Sequence, residues 1–106
     1  MSVKNLKKGE VMWCIVLTCP RCGKQRPYPI PESIKSVEDV RRNINVRLRL
    51  SMGFREHYVY CGGETPSDEL VEEIIGKGKL MHVPEHIVSE VEKKSKEAKW
   101  DYYGLS

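Results

Sequence analysis

The sequence predicts an α+β fold: a small antiparallel sheet carrying a metal-binding knuckle, packed against two C-terminal helices. Three observations carry that expectation. Residues 11–18 are apolar at both alternate sets of positions, as in a strand covered on both faces, and they run directly into Cys19-Pro20-Arg21-Cys22-Gly23. Residues 54–60 lead in the same way into Cys61-Gly62-Gly63. In the last third, Leu70, Val71, Ile74 and Ile75, then Ile87, Val88 and Val91, recur at helical spacing.

Taken in order, residues 1–10 form a basic, polar arm with Lys4, Lys7 and Lys8. In the strand that follows, Val11, Trp13, Ile15 and Leu17 share one face, and Met12, Cys14, Val16 and Thr18 the other. After the knuckle, Pro27, Pro29 and Pro31 keep the chain extended but remove ladder donors, so this stretch belongs at a sheet edge. Ser36 with Asp39 is a helix start for a short helix over residues 37–42. Ile44, Val46, Leu48, Leu50 and Met52 then alternate with polar residues, which predicts a strand over 44–50. Paired with a strand over 54–61, it would make a hairpin turning at Ser51-Met52-Gly53. One continuous helix ending at Gly53 is the competing expectation for the first half of this stretch. Thr65 and Pro66 predict the start of the next helix and Gly76 its end. Lys77-Gly78-Lys79 is expected as a linker, and a second helix is expected from about Pro84 toward Trp100.

The chain has 106 residues, which is the size of one domain (1–106). Within it, residues 1–64 are expected to be the β-rich, cysteine-containing part and residues 65–106 the helical part. The first part holds 12 Lys/Arg against 6 Asp/Glu and the second 6 against 9, so a basic half carries the cysteines. No apolar run is long enough to cross a bilayer, and the N-terminus lacks a signal-peptide pattern. A cytoplasmic location and no membrane partner are therefore expected. In such a compartment the four cysteines read as metal ligands or buried thiols before they read as disulfides. Lys, Arg and Glu are frequent while Gln occurs only at Gln25, a bias that fits a thermophilic source such as an archaeon or its virus.

Cys19-Pro20-Arg21-Cys22-Gly23 resembles the knuckle of zinc-ribbon and rubredoxin-like proteins, over these residues only. Two thiols separated by two residues face one ion, and Gly23 allows the tight turn behind them. The resemblance implies a structural zinc and a second Cys-x-x-Cys on a facing hairpin. At the matching place this chain has one cysteine, Cys61, with Tyr58 and Glu64 where a partner thiol would stand. The expected metal ligands are Cys19, Cys22, Cys61 and His57. On a flat strand His57 would lie about 13 Å from Cys61, so that assignment needs a bulge or a helical turn. Cys14 faces the other side of its strand, and His82 with His86 has finger-like spacing interrupted by Pro84. Reduced thiols without metal, or a Cys14–Cys61 disulfide, are the alternatives to a metal site.

Arg47, Arg49 and Arg55 would share one face of the expected hairpin, while Arg21, Lys24 and Arg26 flank the knuckle. Guanidinium groups beside tyrosines suit phosphate and base contact, so these six residues are the candidate nucleic-acid-binding set for DNA or RNA. No nucleophile elbow, phosphate loop or paired-carboxylate motif points to an enzyme. The expectation is a small metal-stabilised nucleic-acid-binding or nucleoprotein-associated accessory protein. The alternative is a protein–protein adaptor or homodimer, with Trp100, Tyr102 and Tyr103 at the interface.

Overall fold

The computed structural model describes residues 10–93 and Trp100. The elements are β1 (Val11–Thr18), β2 (Gln25–Pro29), α1 (Val37–Arg42), α2 (Ile44–Gly62), α3 (Asp68–Gly76), β3 (Lys79–Pro84) and α4 (Glu85–Lys93). They form the expected α+β fold around a three-stranded antiparallel sheet in the order β2-β1-β3.

Strand β1 is central because it is apolar on both faces. Ile15 and Leu17 enter the large cluster formed with α1, α2 and α3, whereas Cys14 and Val16 join Val83 and Val88 on the other side. The proline-rich β2 lies at one edge, where Pro27 and Pro29 need not donate to a further strand. Ser36 caps α1, its Oγ accepting from the Asp39 amide at 3.2 Å. Helix α3 begins two residues later than the Thr65-Pro66 signal indicates, because the Ser67 hydroxyl takes the capping role toward the Leu70 amide. Its Val71, Ile74 and Ile75 are buried as expected, and so are Val88 and Val91 of α4.

Two expectations are overturned. The hairpin over residues 44–61 is a single helix, α2, running through Gly53 to a left-handed cap at Gly63. Asn43 starts it, with Oδ1 accepting from the Val46 amide at 3.1 Å. The alternation that imitates a strand is two interleaved i, i+4 stripes offset by two residues: Val46, Leu50 and Phe54 face the core, and Ile44, Leu48 and Met52 face outward. Gly53 does not end the helix; it lies against the Tyr28 hydroxyl, where a Cβ would collide. The sheet's third strand comes from residues 79–84, between the expected linker over 77–79 and the helix expected from about Pro84. The part expected to be β-rich thus contains the longest of the described helices, and the part expected to be helical supplies β3.

Candidate metal centre

The site lies where the β1–β2 turn meets the last turns of α2. Cys19 leaves the end of β1, and the turn closes with the Gly23 amide donating to the Cys19 carbonyl at 2.8 Å and the Cys19 amide to the Lys24 carbonyl at 2.9 Å. Gly23 has φ 78°, the left-handed conformation that the knuckle requires of it. On α2, His57 and Cys61 are one helical turn apart and so share a face. The 13 Å separation of a flat strand disappears because the segment is helical.

These four side chains converge. The ligating atoms of Cys19, Cys22, His57 and Cys61 all lie within 4.8 Å of one another. Cys19 Sγ stands 3.7 Å from Cys61 Sγ, and Cys22 Sγ stands 3.3 Å from His57 Nε2. A tetrahedral ion with metal–sulfur bonds of about 2.3 Å separates its sulfur ligands by about 3.8 Å, so the cluster has the size such an ion needs. The same 3.7 Å excludes a disulfide between Cys19 and Cys61, which would require about 2.05 Å. The four side chains are therefore close enough to bind a metal ion.

The surroundings hold these side chains in place. His57 is a buried polar residue of the core, 1% exposed, and its ring stacks on the Trp100 indole at 4.3 Å and 11°. Arg21, inside the knuckle, reaches back over α2. Its guanidinium sits 4.3 Å from the Tyr58 ring centroid, bonds Glu64 at 2.9 Å and lies against Gly62, where a Cβ would displace it. The bond to Glu64 raises the Arg21 pKa further above its ordinary value, so the clamp stays charged.

Other sequence-derived candidates fall elsewhere. Cys14 belongs to the cluster on the opposite face of the sheet, away from Cys61, so a disulfide between them is not what the fold builds. His82 and His86 are exposed, with His82 packed on Trp13 at 4.9 Å. Trp100 is buried rather than presented to a partner, and Tyr102 and Tyr103 lie outside the described residues.

The basic set does not share one face, because helical geometry replaces the hairpin. Arg47 pairs with Glu72 at 2.8 Å, Arg55 with Asp68 at 2.6 Å and Arg21 with Glu64. Arg49 points away from Arg47 and donates to the Pro29 carbonyl. Arg26 stacks over Tyr28 at 4.5 Å, and Lys24 lies at the close of the knuckle. No protein-family model, curated protein or solved structure matches the chain. The geometry alone therefore carries the functional reading. No described helix is long and apolar enough to cross a membrane.

Proposed function

We propose that Cys19, Cys22, His57 and Cys61 hold one zinc ion as a structural centre, and that the protein is a zinc-stabilised binding factor rather than an enzyme. The convergence of the four ligating atoms within 4.8 Å, from two segments far apart in the chain, carries this reading. Three soft thiolates and one imidazole favour zinc over magnesium or calcium, which take oxygen ligands. Four protein ligands fill a tetrahedral shell and leave no open position for substrate, the pattern of a structural site. The buried His57 under Trp100 and the Arg21 clamp fix ligand orientation, as outer partners do in such sites. A reducing compartment, the cytoplasm, keeps these thiols available for metal.

The test is metal content after purification without chelator, together with cobalt substitution. One zinc per chain, and a cobalt form with the absorption bands of a tetrahedral sulfur-rich site, are expected. Cys61→Ser should abolish both. A folded protein that takes up neither ion overturns the assignment.

Nucleic acid is the second reading for the partner, and Arg26 favours it. The Arg26 guanidinium lies over the Tyr28 ring on an edge strand with no carboxylate pair among the described residues, whereas Arg21, Arg47 and Arg55 pair with carboxylates of their own chain. Binding to a short DNA or RNA that weakens with salt, and whose salt dependence falls in Arg26→Ala, supports it. Absent or salt-independent binding removes it.

A further inference from the structure

Helix α2 is apolar on two opposite sides. Val46, Leu50, Phe54, His57 and Cys61 face inward. Ile44, Leu48, Met52 and Val59 face outward and are 67%, 55%, 60% and 44% exposed. At 1.5 Å per residue the outer stripe runs about 22 Å along the helix. A surface helix ordinarily carries polar residues there, as α3 does with Asp68, Glu69 and Glu73, whereas apolar residues on both sides mark a helix covered on both sides. Along α3 the stripe forms the floor of a groove of about 640 Å³. Its rim charges cancel within the chain, as Arg47 with Glu72 and Arg55 with Asp68, so the groove itself calls for an apolar occupant.

The opposite edge of the stripe identifies the occupant. Arg49 and Glu56 are both exposed there, seven residues apart on the same edge and of opposite sign. We propose that the stripe is a homodimer interface, in which α2 packs antiparallel against α2 of a second copy. A two-fold axis beside Met52 brings like edges together with chain directions reversed. Arg49 of each copy then faces Glu56 of the other, and Ile44 meets the Val59 end of the opposing stripe. A parallel arrangement, with its two-fold axis along the helices, would instead set the Arg49 and Glu56 edge of each copy against the Arg47 and Arg55 edge of the other, without that reciprocal pair. The Arg49 guanidinium is already anchored by one bond to the Pro29 carbonyl, and its remaining donors are available across the axis.

The inference is independent of the metal reading, and its test separates the two. Light scattering during size exclusion of the full, metal-loaded chain should give twice the 12.3 kDa protomer mass. Leu48→Glu with Met52→Glu should reduce it to the protomer mass, with helical circular dichroism and metal content unchanged. Glu56→Arg alone should weaken the dimer several-fold on dilution, and adding Arg49→Glu should restore it. A wild-type monomer at every concentration overturns the proposal, whether the stripe is then covered by the chain's own terminal residues or by another protein. A dimer indifferent to Leu48→Glu and Met52→Glu also overturns it. A charge exchange that fails to restore a dimer weakened by Glu56→Arg overturns the antiparallel arrangement.

Discussion

The two faces of β1 show what apolar packing does in this molecule and where it stops. On one face Cys14 and Val16 meet Val83 and Val88, a small cluster covered among the described residues by α4. On the other, Ile15 and Leu17 open a core that takes in residues from α1, α2 and α3 and ends against Cys19, His57 and Cys61. Cysteine has two roles on one strand system: Cys14 packs as a small apolar side chain, while five residues on, Cys19 turns into a polar cluster. The larger core is thus finished by thiols and an imidazole at a junction where apolar side chains would otherwise be needed. Those groups lie close enough together to bind a metal ion.

The contrast can be broken most strongly at that junction. Removing the metal with a chelator, or replacing Cys61 by Ser, should cost about 3 kcal/mol or more, because the bound ion's free energy is lost from the folded state alone. Thermal melting with and without added zinc measures it, and equal melting temperatures would contradict the asymmetry. Next come the apolar sides themselves. Phe54→Ala should cost about 3–5 kcal/mol and Val88→Ala about 2 kcal/mol in denaturant titrations, reflecting the sizes of the voids left. Cys14→Ala should cost about 1 kcal/mol or less and leave metal stoichiometry untouched, which separates it from the other three cysteines.

The smallest effect is confined to alkaline pH. The Tyr28 hydroxyl is buried against Gly53, beside the Arg26 guanidinium. Burial pushes its pKa above the ordinary 10.0, against the opposing positive charges of Arg26 and Arg49. Because the folded value is the higher one, the unfolded chain loses its proton first. Stability should therefore be independent of this group below about pH 10 and decline above it. Tyr28→Phe should remove that decline and leave stability at neutral pH unchanged or slightly higher.

The fold class, β1, the prolines of an edge strand, and the buried faces of α3 and α4 were legible in residue patterns. Helix α2 was legible only as the competing expectation for its first half, since two i, i+4 stripes offset by two residues produce the same apolar–polar alternation as a strand. The clue against a strand lies in the site itself: His57 and Cys61, as candidate ligands of one ion, sit four apart, a spacing that meets on a helix and diverges on a strand. Strand β3 was hidden by its brevity, between Gly78 and Pro84. It follows from β1, however, because a strand buried on both faces sits inside a sheet and needs a neighbour on each side. The four candidate ligands were readable as residue types. The helical turn that unites two of them, and the indole that covers His57, depend on long-range packing.

Cys22 and His57 stand 35 residues apart in the chain and 3.3 Å apart in space. An ion shared by them closes that stretch into a loop, and in the unfolded chain such a closure removes about 4 kcal/mol worth of conformational freedom. The centre is then a cross-link equivalent to a disulfide, but one that forms in a reducing environment and opens whenever the ion is withdrawn. Metal supply would set how long α1 and most of α2, which lie between the two ends, remain tied to the sheet.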